Sequence, residues 1–176
     1  MSRGFDEQYG YYLGGEDYWD HTRSGGLDWH RNDTLEVGEN GSYSADLLGV
    51  AAATFIRKMA SPAHASTPWY LYLPFQSVHS PLEAEDLDLA LYPSLSGNVR
   101  TRAAMISALD RAMGNVTHAL RQTEQLDDVI LLFTSDNGAP YGDAYRLRHP
   151  NVRAHHRVHV GENGSHEMRL GFTLGF

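Results

Sequence analysis

Two stretches of the chain carry hydrophobic residues at three- and four-residue steps. Over residues 43–60, Leu47, Leu48, Ala51, Phe55 and Met59 fall on one stripe, which is the period of an amphipathic helix. Ser42 stands where an N-cap is expected, and Asp46 suits the positive end of the helix dipole. Ser61-Pro62 ends the pattern. Over residues 98–122, Ile106, Leu109, Met113, Val116 and Leu120 recur at steps of 3, 4, 3 and 4 and predict a second helix. Two apolar runs of a different kind, residues 69–75 and 129–134, lack polar alternation. Runs like these predict strands covered on both faces, as in a parallel sheet beneath helices. A strand, a helix and a second strand form a right-handed crossover. The predicted fold is therefore α/β, a mostly parallel sheet flanked by helices.

Composition narrows the picture. The chain has 176 residues, 41% of them hydrophobic and 20% charged, which is globular rather than disordered composition. Its net charge of −8 argues against a nucleic-acid or anionic-membrane surface. No apolar run reaches the ~18 residues of a membrane span. Cysteine is absent and Lys58 is the only lysine, so disulfides, thiolate metal sites, cysteine nucleophiles and two-lysine mechanisms are excluded. Charge also divides the chain. Residues 144–176 hold five of the ten histidines, five arginines and two acids. We expect a domain over 1–143 and a poorly ordered His/Arg-rich tail over 144–176.

Residues 1–42 crowd Tyr9, Tyr11, Tyr12, Tyr18, Trp19 and Trp29 among glycines and acids. These rings either pack under loops or line a carbohydrate-type cleft. Four N-glycosylation sequons begin at Asn32, Asn40, Asn115 and Asn163. Their use would require passage through the secretory lumen. No signal peptide is visible after Met1, so the natural start is expected upstream.

Ligands of open parallel sheets bind beyond the carboxyl ends of the strands. His79 lies four residues past the first predicted strand, and Asp136 and Asn137 follow the second. A carboxylate beside an amide oxygen suits Ca²⁺ or Mg²⁺ better than zinc; an ordinary Asn-Gly turn capped by Asp136 has the same sequence. His79 could hydrogen-bond an anionic oxygen, or be a surface-loop histidine. The tail set His155-His156-x-x-His159 could bind a transition metal, or simply belong to a His-rich tail. No phosphate-cradling glycine loop and no G-x-S-x-G elbow is present.

Several segments, in order, resemble the sulfatase family, in its arylsulfatase B-like branch. They are Arg3-Gly4-Phe5-Asp6 with Tyr9-Gly10, Gly15-Glu16-Asp17-Tyr18, Leu71 to Leu82 through Gln76-Ser77-Val78-His79-Ser80-Pro81, Met105 to Asp110, Gly114-Asn115-Val116-Thr117, and Phe133-Thr134-Ser135-Asp136-Asn137-Gly138. The resemblance covers about residues 3–140. It implies a partial alkaline-phosphatase-like α/β domain, lysosomal or secretory residence, one Ca²⁺, and hydrolysis of sulfate esters, often on sulfated glycans. By motif, His79 resembles the histidine that bonds the sulfate group, and Asp136 and Asn137 resemble two calcium ligands.

The chain also departs from the family pattern. It has no Cys-x-Pro-x-Arg or Ser-x-Pro-x-Arg motif, whose cysteine or serine becomes the formylglycine nucleophile. The paired N-terminal aspartates, the Gly-Lys-Trp-His motif and the later active-site lysine are absent too. The expectation is a piece of a calcium-dependent sulfuric ester hydrolase that is inactive alone, since covalent turnover needs a nucleophile. Two rivals remain: a secreted pseudo-sulfatase fragment that binds sulfated glycan or a full-length relative, and a two-metal phosphodiesterase of the same superfold.

Overall fold

The computed structural model describes residues 4–136. The chain divides into two compact units, Met1–Thr123 and Glu124–Phe176. The expected tail, 144–176, lies outside the described residues.

Both predicted helices form in the first unit. Helix α1 spans Ser44–Met59 and α3 spans Gly97–Gln122; a short α2, Asp86–Leu89, lies between them. The expected cap is corrected by one residue. Tyr43 is the N-cap, without a side-chain hydrogen bond, and the Ser42 N–H donates to the Glu39 carbonyl at 3.0 Å. Tyr43 governs this start, because its buried ring stacks on Tyr18 with centroids 5.3 Å apart. Asp46 in the first turn and Arg57 and Lys58 in the last complement the helix dipole.

The faces that α1 and α3 bury also differ from the expected stripes. Leu47, Ala51 and Phe55 are only half-buried, while Ala45, Leu48, Gly49, Ala52, Ala53, Ile56 and Met59 are buried. On α3 the buried line runs through Ala104, Met105, Ala108, Ala112, Val116, Ala119 and Leu120, and Ile106 is exposed. Close helix approach explains the choice. A Cβ on Gly49 would sit 2.9 Å from both Cα and Cβ of Ala112, so this seam selects small residues ahead of large apolar ones.

Arg111 ties the three helices together. Its Nε and Nη2 bond the Asp46 carboxylate at 3.0 and 3.1 Å, its Nη1 bonds Asp88 at 2.7 Å, and Nη2 also meets Glu85. The hydrogen bonds to Asp46 and Asp88 outweigh the desolvation of the guanidinium and raise its pKa. A half-buried bidentate network of this kind positions elements better than single surface pairs do.

The α/β class holds, but the described strands are short and antiparallel. Strand β1 (Tyr9–Gly10) pairs with β4 (His30–Arg31), β4 pairs with β5 (Thr34–Leu35), and β2 (Thr22–Arg23) pairs with β3 (Gly26–Leu27). The predicted parallel sheet does not form among the described residues. Residues 69–75 carry no strand hydrogen bonding; their side chains nevertheless alternate between half-buried and exposed, with Tyr70 73% and Tyr72 63% exposed. Residues 129–134 likewise form no strand beyond a single bridge at Leu131, and leave Ile130, Leu132 and Phe133 exposed. A strand needs neighbours for its backbone hydrogen bonds, and no neighbouring strand is described beside either run.

Open apolar strand-like segments promote self-association. The double variant Tyr70→Lys, Tyr72→Glu is therefore expected to raise the monomeric fraction in light scattering severalfold, with the thermal midpoint nearly unchanged. An unchanged aggregate fraction would show that association uses another surface.

Candidate functional site

Tyr18 and Trp29 of the aromatic segment pack under loops, as the first of the two sequence readings has it, while Tyr12 is exposed. Trp29 and Tyr18 are fully buried; Tyr9 meets Trp29 edge-on at 5.4 Å, and His21 lies against Trp29 at 4.4 Å. The segment also has a positioning task that no local pattern announces. Three tyrosine hydroxyls donate to backbone carbonyls around the His79 loop: Tyr11 to Pro74 at 2.6 Å, Tyr18 to His79 at 3.0 Å, and Tyr43 to Glu83 at 2.8 Å. Each satisfies an acceptor that the loop's own backbone leaves open.

A side-chain clamp adds a fourth hold. The buried Gln76 amide oxygen accepts the Glu16 N–H at 3.0 Å, and its Nε2 donates to the Glu16 carbonyl at 2.7 Å. The His79 N–H closes the turn onto the Gln76 carbonyl at 2.8 Å. The imidazole on this anchored loop is exposed, as are the neighbouring Val78 and Ser80. Its Nδ1 lies 2.6 Å from the Ser80 carbonyl oxygen. A carbonyl can only accept, so Nδ1 carries a proton and Nε2 is left for a ligand.

Arg23 stands beside this ring. It is exposed on the β2–β3 hairpin, and its Nη1 donates to the Gly15 carbonyl at 2.9 Å. Gly15 has φ +75°, and a Cβ there would lie 3.1 Å from Arg23 Nη1 and 3.4 Å from His79 Cε1. Glycine thus permits the turn and also lets the two side chains approach.

Beneath the loop lies an acidic core. Glu16 is fully buried, with neither carboxylate oxygen hydrogen-bonded. Burial, reinforced by the negative charges of Asp28, Asp17 and Asp20, pushes its pKa up to about 8. Burial also raises Glu83 and Glu85 and lowers His21. Asp17 behaves oppositely: burial pushes it up, but the N–H groups of Asp20 and Trp19 outweigh that and hold it low. A groove between α2 and α3, lined by Leu87, Leu91, Tyr92, Ile106, Ser107 and Arg111 among others, does not include His79.

The remaining sequence-derived candidates are more scattered. Asp136 is exposed in the second unit, and Asn137 and the His155-His156-x-x-His159 set lie outside the described residues. Among the described residues no cluster of three or more His, Asp or Glu is arranged to hold a metal. Of the sequons, Asn40 is exposed in a turn, Asn115 is half-buried on α3, and Asn163 lies outside the described residues. Asn32 is half-buried, and its Oδ1 accepts the Gln8 N–H at 3.0 Å. No described helix is long and apolar enough to cross a membrane.

The scaffold around His79 has known counterparts. The chain is 34% identical over 143 residues to arylsulfatase J of Mus musculus, covering 77% of this chain and 23% of that protein. It is 32% identical over 104 residues to the N-acetylgalactosamine-6-O-sulfatase of Bacteroides thetaiotaomicron, covering 58% of this chain and 18% of that one. Among solved structures it is similar to Ps i-CgsB in complex with k-i-k-neocarrahexaose, with a TM-score of 0.68 and 30% identity, over 78% of this chain and 33% of that one. The chain thus spans a third or less of the length of these relatives. Residues 1–163 match the family described as Sulfatase, a range that extends past the motif-bearing stretch ending near residue 140. The chain belongs to the sulfatase family.

Proposed function

We propose that this chain is the part of a sulfuric ester hydrolase domain that presents a sulfate-binding histidine, and that by itself it hydrolyses no sulfate ester. The supporting observation is His79. Its imidazole is exposed on a loop whose backbone is held by three tyrosine hydroxyls and the Gln76 clamp, and its Nδ1 is committed to the Ser80 carbonyl. Nε2 is then preorganised to donate, when protonated, to a sulfuryl oxygen. Donors fixed in advance stabilise anionic oxygens without reorganising during reaction.

The chain's own chemistry ends at binding. It has no cysteine and no Ser-x-Pro-x-Arg motif, so the formylglycine nucleophile has no precursor here and no covalent sulfuryl intermediate forms. Asp136 and Asn137 are proposed as two calcium ligands. Two residues cannot fill the six to eight oxygens that Ca²⁺ takes, and no fuller donor set exists among the described residues. The described residues therefore do not make a complete Ca²⁺ site.

The substrate class is a sulfate ester, with sulfated glycans as the natural form, and the residence is lysosomal or secretory. Glycosylation is proposed at the sequons Asn32, Asn40, Asn115 and Asn163, with Asn40 the most open of the described three. The test is an aryl-sulfate assay with added Ca²⁺ across pH 4.5–8. We expect product release at the blank rate; turnover that co-purifies with the chain would overturn the reading.

A further inference from the structure

We propose that Arg23 and His79 form one shared oxyanion subsite, in which Arg23 grips the same sulfuryl group that His79 Nε2 contacts. The inference rests on the reading of His79 given above. Its own basis is the geometry at Gly15. Arg23 Nη1 and His79 Cε1 lie 3.1 and 3.4 Å from one point, the place a Gly15 Cβ would occupy. The two groups are therefore no farther apart than the sum of those distances. A tetrahedral oxyanion bridges such a span, since each charge-assisted hydrogen bond reaches ~2.8 Å and the oxyanion's own edge adds to it.

Three features make Arg23 more than a passing surface cation. Its guanidinium is tethered by Nη1 to the Gly15 carbonyl at 2.9 Å, which limits the side-chain freedom that binding would otherwise have to remove. A guanidinium has five N–H donors, and no acid among the described residues forms an ion pair with Arg23. Its hairpin is also fixed at the base: Asp20 Oδ1 accepts the Thr22 N–H at 2.9 Å and the Thr22 hydroxyl at 2.7 Å, and the Asp17 N–H donates to the Thr22 carbonyl at 3.0 Å. Ser24 at φ 52° and Gly25 at φ 82° make the turn that brings β3 back beside β2. Because Arg23 bonds through a planar fork, lysine should replace it incompletely.

The test is an NMR titration of the full chain, with histidine rings and arginine side chains labelled, using inorganic sulfate against sodium chloride at matched ionic strength. In the wild type the His79 ring and the Arg23 Nε–H signals are expected to shift together, saturating with one dissociation constant. Arg23→Gln is expected to weaken the His79 response at least fivefold, and Arg23→Lys by an intermediate factor. If His79 saturates with sulfate while Arg23 Nε–H stays still, the shared subsite is overturned and the His79 reading stands. A His79 affinity in Arg23→Gln within twofold of wild type has the same meaning. If neither His79 nor Arg23 responds in the wild type, both readings fall. The wild-type Arg23 signal decides the matter even if the glutamine variant does not fold.

Discussion

Between pH 5 and pH 8 the folded chain is expected to lose on the order of 3 kcal/mol of stability through Glu16 alone, and Glu16→Gln to abolish that loss. The sign follows from the two states. The unfolded carboxyl takes the ordinary value of 4.5, whereas the buried one is pushed up to about 8. The native state therefore keeps a proton that the unfolded chain releases. The favourable situation is complete below pH 4.5, erodes as pH rises to about 8, and is level above that. Glu83 and Glu85, raised by burial, act in the same direction. His21, lowered by burial from 6.5, acts oppositely: its contribution is lost as pH falls below the unfolded value. The low-held Asp17 loses its contribution only in stronger acid, below its unfolded 3.8. The steepest net loss therefore falls between pH 6.5 and pH 8, where Glu16 titrates without the counterweight of His21. Thermal melts followed by circular dichroism should show a midpoint drop of roughly 10 °C from pH 5 to 8 in the wild type, using the usual scaling for a chain of this size. A flat wild-type profile would place the Glu16 carboxylate in water rather than in the core.

Gly49→Val is expected to cost about 3 kcal/mol, at the upper end of overpacking penalties. The built Cβ meets Ala112 Cα and Cβ at 2.9 Å and the Ala112 carbonyl oxygen at 3.2 Å, so the obstruction is mostly backbone and cannot rotate away. Valine's gain in helix propensity over glycine is only a few tenths of a kcal/mol. Adding Ala112→Gly removes the Cβ contact but leaves the Cα, so the double variant should recover part of the loss and no more. Urea denaturation midpoints of the wild type and the two variants measure this. A Gly49→Val midpoint equal to wild type would mean that α1 and α3 separate at little cost.

The periodic part of the sequence announced both long helices to within a residue or two, because 3.6-residue spacing is a local property. The buried faces were not legible in the same way. Hydrophobicity favours Leu47, Phe55 and Ile106, but at close helix approach the seam takes Gly49, Ala52, Ala108 and Ala112 instead. Residues 69–75 and 129–134 read as buried strands because their composition suits a sheet interior; strand pairing depends on partners that the runs themselves do not specify. The site was legible only in pieces. His79 and Gln76 both sit within the stretch that carries the family resemblance, but that stretch does not announce the Gln76 clamp on Glu16. Nothing in the local pattern joins Tyr11 to Pro74 across 63 residues or Tyr18 to His79 across 61. Arg23 was equally hidden, since only the folded turn at Gly15 brings it to the ring.

The central claim is that His79 receives a sulfate ester on a chain without the means to cleave it. One NMR time course tests it: purified chain, Ca²⁺ and an aryl sulfate in a single tube, with the His79 ring and the liberated phenol recorded together. The account predicts a saturable His79 shift and phenol at the blank level for the duration. Phenol accumulating in proportion to chain, or ester binding that leaves the His79 ring unmoved, would contradict it.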